Sequence, residues 1–446
     1  MNLMPKSETK RSENSGAKST RLSSALKPGV SRREVWAWAM YDFANSGYTT
    51  VILTTVFSAY FVSVVAQGKS WATLAFTCAL SISYLLIMLT MPWLGSRADA
   101  KAAKRRLLFT STLACVGATL LLMLVGPGDV VLGMLLLALS NYAYCVGESI
   151  VAAFLPELAQ PKALGRVSGW GWGFGYFGGM LALGLSLWLA TWAETQGMQA
   201  HQFVPYIVML TAGLFGLAAI PSFLFLRERS VATERQQQGL LSRLAFAWRE
   251  TKQRFPDFRL LLLCGALYHS GISVVITLSA VYASQAMGFT MAQTMLLVFT
   301  VNIAAAFGAL LFGYVQDRIG HKMALSITLF GWIVMILLAY LATGPKLFWV
   351  AATIAGLCMG TSQSAGRAMV GALAPANRLA EFYALWTFST QLAAVVGPLS
   401  YGLIAWGSGG DHKLALLCTG LFFVLAGHVL RRMDFDRGAQ ACRINE

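Results

Sequence analysis

The chain has 446 residues, 57% of them hydrophobic and only 12% charged, with a mean hydropathy of +0.61. A water-soluble domain carries about 25% charged residues, so these proportions exclude one large soluble catalytic domain and describe a membrane protein. The net charge of +15 would suggest nucleic-acid binding in a soluble chain, but here the basic residues gather in tails and between apolar runs, where they act as topology signals and imply no nucleic-acid partner.

Residues 1–34 are polar, Ser-rich and basic and are predicted to be a cytosolic tail without a cleavable secretory signal. About 20 apolar residues span a bilayer as a helix, and such runs follow near 35–66, 71–94, 107–125, 130–155, 165–191 and 203–226. A second set lies near 258–282, 290–315, 322–343, 347–371, 382–406 and 413–431. The expected fold is therefore all-α, with twelve transmembrane helices in an N-terminal bundle (35–226) and a C-terminal bundle (258–431). The break at 227–257 reads as a cytosolic linker with an amphipathic helix around Leu240 to Trp248, and 432–446 as a cytosolic tail. Of the 34 Lys and Arg residues, only Lys69, Lys346 and Lys413 fall on the opposite side of this alternation, which predicts that both termini are cytoplasmic.

The two sets repeat. Gly95 to Asp99 after the second span matches Gly313 to Asp317 after the eighth at an offset of 218, and Pro156 and Gly178 match Pro375 and Gly397 at 219. Two halves related by a pseudo-twofold axis along the membrane normal follow. Gly171, Gly175 and Gly179 recur at spacing four and predict a small-residue seam for close helix contact, read first as structural packing and second as a surface on which the halves slide.

Seven cysteines without a CxxC pair, most of them inside apolar runs, predict free thiols rather than a disulfide framework or metal site. No GxxxxGK[ST] occurs, so there is no phosphate cradle for ATP, no cofactor is expected, and any transport is secondary. No nucleophile and base cluster marks an enzyme.

Ionisable residues inside spans are costly and by default line a water-filled path or pair with one another. Span one carries Asp42, span four Glu148, span seven His269 and span ten Arg367, with Asn45 one turn beyond Asp42 and Gln363 one turn before Arg367. These six form the expected substrate or proton pathway. For Asp42 the readings are a proton carrier, a ligand for a substrate amine, or a helix-start carboxylate stabilising the first turn. His269 lines the cavity or is a satisfied core histidine. Glu148 and Arg367 stand 219 apart, so pseudo-symmetry sets them opposite each other and predicts an ion pair between the halves that closes the cytosolic gate; the alternatives are a Glu148–Arg166 pair and a snorkelling Arg367. Asp99 with Arg105, and Asp317 with Arg318, are the other expected gate residues.

The loop Gly313-x-x-x-Asp317-Arg318-x-Gly320-His321-Lys322 resembles the major facilitator superfamily signature. Its first copy departs from it, with Ala100 in place of Arg and no glycine before Lys104-Arg105-Arg106, which makes Asp317 the firmer gate residue. A narrower resemblance, to the Atg22-like branch, rests on Trp38 to Ser46, Phe154-Leu155-Pro156-Glu157, Ser168 to Gly179, Gly360 to Arg367, and Pro375 with Ala380-Glu381-Phe382-Tyr383 and Gly397-Pro398. Span seven departs, reading Tyr268-His269-Ser270-Gly271 where relatives tend to carry an Asp. The resemblance implies a secondary active transporter working by alternating access, with helices one, four, seven and ten around the cavity. It implies a small solute, with amino acids the leading class, and as partners the substrate, protons and the lipid bilayer. The short loops and compact tails look like those of a bacterial inner-membrane protein, expected as a monomer. The competing readings are proton-antiport efflux of apolar or cationic compounds, and a non-transporting receptor or lipid scramblase on the same fold.

Overall fold

The computed structural model describes residues 25–230, 232, 240–287, 289, 291–409 and 411–444. Most of the N-terminal tail and the Gln236 to Gln238 run of the linker fall outside them.

Among the described residues twelve long helices follow one another: α1 (Arg32–Val65), α2 (Ala72–Ala100), α3 (Lys104–Leu121), α4 (Val130–Ala152), α5 (Leu164–Thr195), α6 (Ala200–Phe225), α7 (Pro256–Met287), α8 (Met291–Ile319), α9 (His321–Leu341), α10 (Pro345–Ala372), α11 (Leu379–Gly407) and α12 (His412–Arg432). Among the described residues eleven helices are long and apolar enough to cross a membrane. The helix that falls short is α10, which has the length at 28 residues but runs through Thr361-Ser362-Gln363-Ser364 to Arg367. Its polarity is a feature of the site described below.

The internal repeat is expressed in packing. In the first half α1 packs on α5 and α6, α4 on α2 and α3, and α3 on α6; each pairing recurs six helices later, as α7 with α11 and α12, α10 with α8 and α9, and α9 with α12. The halves meet along two equivalent seams, α2 against α11 and α5 against α8. Gly178 and Gly397, the repeat-related glycines, both lie against backbone of the first helix of their half, at Phe43 and Ser270, leaving no room for a Cβ.

The alternating Trp170-Gly171-Trp172-Gly173-Phe174-Gly175 stretch is helical, because a lone strand cannot satisfy its backbone in lipid. Two interleaved seams explain its period. Gly171, Gly175 and Gly179 face α1, against Asp42, Ser46 and Thr50, whereas Gly165, Gly169 and Gly173 face α8, against Gly313, Ala309 and Leu310. The predicted close helix contact is present, made with α1 of the same half, and the glycines that let the backbones of the two halves meet are the second set.

Helix α1 changes pitch after the polar residues it carries. Thr49–Thr54 and Phe61–Val65 are π-helical turns, and Thr54 and Thr55 donate hydroxyl hydrogen bonds back to the Thr50 carbonyl at 2.9 and 2.6 Å. Such bonds compete with the helix ladder and bend it. The linker helix, Leu240–Gln253, packs on α2 and α7. A final helix, Phe435–Ile444, is fixed by Asp257, which accepts from Asp434 N at 2.8 Å and from Arg437 at 2.7 and 2.8 Å. The first and last described segments thus lie on one face, here termed the terminal face.

Candidate transport site

Arg367 on α10 crosses from the second half into the first. Its Nη1 donates to Asp42 Oδ2 on α1 at 2.7 Å, its Nε to Ser168 Oγ on α5 at 3.1 Å, and its Nη2 to the Ser168 carbonyl at 2.9 Å. Ser168 Oγ in turn donates to the Ser364 carbonyl of α10 at 2.8 Å. The rings of Trp38 and Trp172 lie against the guanidinium, 4.7 and 5.3 Å from Cζ. Asp42 and Arg367 are 7% and 6% exposed, so the pair is desolvated and its geometry decides its energy. Two features make the meeting possible. Gly171 leaves a notch that a Cβ would fill, overlapping both Asp42 Oδ2 and Arg367 Nη2, and Tyr383 OH steadies α10 by donating to the Arg367 carbonyl at 2.8 Å.

This arrangement corrects the pairing expected from the repeat. The carboxylate partner of Arg367 is Asp42, not Glu148, whose Oε2 instead accepts from Tyr144 OH one turn earlier on its own helix. The local alternative, Glu148 with Arg166, also fails, because Arg166 Nε donates to Asp317 Oδ2 at 3.0 Å. Glu148 does lie within electrostatic reach of both Asp42 and Arg367, which keeps it at the same site.

Between this pair and the terminal face, each seam carries a carboxylate that caps a helix of the other half. Asp99, at the end of α2, accepts from the amides of Ala380 and Glu381 at 3.1 and 2.9 Å, the second and third residues of α11. Asp317, at the end of α8, accepts from Gly165 and Arg166 at 2.9 and 3.3 Å, the second and third residues of α5. A carboxylate at a helix start satisfies free amides and meets the positive end of the dipole. The degraded first copy of the loop motif thus caps two amides as the second does. Ala102 takes the left-handed φ of +47° that Gly320, 218 residues later, holds at +88°. The two arginines assigned to the gate lie elsewhere: Arg105 is exposed and bonds the Phe223 carbonyl, with its amide on Glu228 at 3.1 Å, and Arg318 is exposed beside Asp317.

Sequence reasoning also missed charged groups behind these caps. Lys104 pairs with Glu157, Arg229 with Glu34 at 2.5 Å, and Arg378 with both Glu250 and Glu381. The hydrogen bonds that Arg229 donates to Glu34 raise its guanidinium above its ordinary range. Glu157 and Glu381 both stood in the motif segments, and their burial, 6% and 0%, is the signal that they hold cations.

On the other side of the Asp42–Arg367 pair the polar groups are under-used. Asn45 Oδ1, Trp172 Nε1, Tyr176 OH, His269 Nε2 and Ser364 Oγ are buried without a hydrogen-bond partner among the described residues. His269 sits between rings, 4.5 Å from Tyr268 and 5.5 Å from Trp386, and Gln363 is half-buried on α10. Buried polar atoms are normally paired, and these five, from α1, α5, α7 and α10, are candidates to meet a polar ligand.

Residues 30–443 match the family described as vacuole effluxer Atg22-like. An uncharacterised MFS-type transporter, YxiO of Bacillus subtilis, is 25% identical over 399 residues, covering 87% of this chain and 92% of that protein. Autophagy-related protein 22-1 of Aspergillus niger is 24% identical over 324 residues, 66% of this chain and 51% of the relative, so the match spans about half of that protein. Among solved structures, the human organic anion transporter MFSD10 superposes with a TM-score of 0.72 at 15% identity, covering 91% of this chain and 100% of its own, which establishes a shared fold. Twelve helices in two repeat-related bundles, joined by reciprocal helix caps around a polar centre, are the structure of a multi-pass secondary transporter, and the chain belongs to the Atg22-like family of the major facilitator superfamily.

Proposed function

We propose that the protein is a proton-coupled carrier of a small zwitterion of the amino-acid type, working as a monomer in a bacterial plasma membrane with both chain ends in the cytoplasm. The distribution of Lys and Arg supports that orientation. The observation that carries the reading is the Asp42–Arg367–Ser168 lock, which joins the halves beneath the unpartnered polar atoms. The interhalf bonds described above run from the terminal face to this level, so the conformation is closed toward the cytoplasm, and the lock must part before the site can open that way.

A zwitterion suits the charges. Its carboxylate competes with Asp42 for Arg367, and its ammonium is met by Glu148, which forms no ion pair among the described residues. Proton coupling follows from where the charges reside. Asp42 and Glu148 both belong to the first half and Arg367 to the second, so opening toward the cytoplasm withdraws the shared cation and leaves two neighbouring carboxylates. Like charges at close range favour uptake of a proton by one of them. Export of a cation against protons is the second reading, favoured by the same Glu148 acting on a lone cation.

The test is proton flux in proteoliposomes against panels of amino acids, small peptides and cationic drugs, comparing wild type with Asp42→Asn. Flux with amino acids that is lost in the variant supports the zwitterion; flux with cations alone selects the second reading. Silence to the amino acids removes the first, and lipid flipping that ignores the pH gradient would move the protein to the scramblase class.

A further inference from the structure

The two seams are built alike but charged differently. In the α5–α8 seam the third residue of the capped helix is Arg166, which reinforces the cap by pairing with Asp317 at 3.0 Å. In the α2–α11 seam the third residue is Glu381, which sets a second carboxylate beside Asp99. Two like charges at a closing contact oppose closure unless a cation intervenes.

Lys104, at the start of α3 in the first half, already faces Asp99; the cation that holds Glu381 is Arg378. Its Nε and Nη2 donate to Glu381 at 2.9 and 3.0 Å, and its Nη1 and Nη2 donate to Glu250 at 2.8 and 2.7 Å, while the guanidinium rests 5.4 Å from the Phe382 ring centroid. Arg378, Glu381 and Glu250 are all buried. Fork geometry of this kind fixes both position and orientation. Glu250 belongs to the linker helix, whose buried face of Ala247, Glu250 and Thr251 is applied where it packs on α2 of the first half and α7 of the second. Its contact with exposed Arg254 at 3.8 Å is a surface pair of small consequence.

We infer that the linker helix is a working part of the gate: through Glu250 it positions Arg378, Arg378 masks Glu381, and only then does the start of α11 close on Asp99. The α5–α8 seam, with Arg166 in place, closes without it. The linker helix therefore docks when the α2–α11 seam closes and is released when that seam opens, so whatever holds or displaces the helix sets the balance between the two orientations of the carrier. Glu250 and Arg378 are positioning residues and do not touch the transported solute. The inference rests on alternating access and not on any particular substrate.

Hydrogen exchange measured by mass spectrometry on the full-length protein in lipid nanodiscs tests it without a substrate, so failure of the zwitterion panel leaves the result standing. Glu250→Gln should speed exchange by about tenfold or more in the linker helix and at the facing ends of α2 and α11, with the ends of α5 and α8 unchanged. Arg378→Lys, which keeps the charge but loses the fork, should give a smaller change confined to the same seam, and Arg378→Gln the full one. Faster exchange in the linker helix alone would show a passenger and overturn the inference. Equal loosening of both seams would overturn it as well, since that is general destabilisation.

Discussion

Replacing Asp42 by Asn keeps the side-chain shape and removes the charge that Arg367 faces. The guanidinium then remains 6% exposed, held by Ser168 and two tryptophan rings but without a counter-ion. Removing one member of a buried pair costs about 3–5 kcal/mol. That cost falls on the closed arrangement alone, because parting the halves lets water reach Arg367. A change of about 3 kcal/mol moves a two-state equilibrium by roughly a hundredfold, enough to turn a carrier resting closed at the terminal face into one resting open there. Hydrogen exchange at Gly165 to Trp170 and at Ser364 to Arg367 reports the lock directly. The companion variant Arg367→Gln should behave similarly, and the double variant should fall short of the sum of the two by about 1–3 kcal/mol, because the second change removes a group already stranded. Strictly additive effects, or unchanged protection in Asp42→Asn, would refute the assignment of this pair as the lock.

Other expectations follow from particular contacts. Glu148→Gln should leave solute binding measurable while abolishing movement against a pH gradient; coupled accumulation in that variant would remove Glu148 from the proton path. Trp172→Phe deletes an unpartnered indole N–H and keeps most of the ring, so solute affinity should fall by about tenfold, the worth of one hydrogen bond, with thermal stability unchanged. Ala102→Gly relieves a left-handed conformation that costs a residue with a Cβ about 1–2 kcal/mol, and should raise the melting temperature in detergent slightly; a fall would show that the φ of +47° carries no strain. Gly178→Ala and Gly397→Ala each press a methyl into the backbone of Phe43 or Ser270 and should destabilise their own half by about 1–3 kcal/mol, read as lower melting temperatures.

How much of this was legible in the sequence depended on the range of the physics involved. Apolar runs of bilayer length, separated by basic breaks on alternate sides, fix the count of helices, and offsets of 218 and 219 residues fix the pseudo-symmetry, since both are properties of segments. Asp42 and Arg367 were also legible singly, because a charge inside an apolar run needs an explanation wherever its partner is. The partner itself was not. Symmetry arithmetic placed Glu148 opposite Arg367, but a pair forms where backbones leave room, and the room is at Gly171, on a third helix. Nothing in the spacing of Asp42, Gly171 and Arg367 announces that they converge.

The glycine pattern located a close contact without its neighbour, for the same reason. A repeat of four identifies a face that packs closely and says nothing of which neighbour it meets; the α5 sequence holds two such faces, and the one read first points into its own half. Charge on the gate was read from the loop motif, where Arg105 and Arg318 satisfied the pattern yet turned out to be surface residues. Besides Lys104, which faces Asp99 from its own half, the cations at the caps are Arg166 and Arg378, each adjoining the start of a capped helix, where a buried carboxylate of the opposite half has to be accommodated. Arg166 does this as the third residue of α5, and Arg378 does it from the turn before α11 because that third position is Glu381. A helix start that receives a carboxylate while displaying one of its own is an electrostatic conflict visible in sequence once the cap is known, and its resolution by Glu250 is what ties an otherwise unremarked linker to the movement of the two halves.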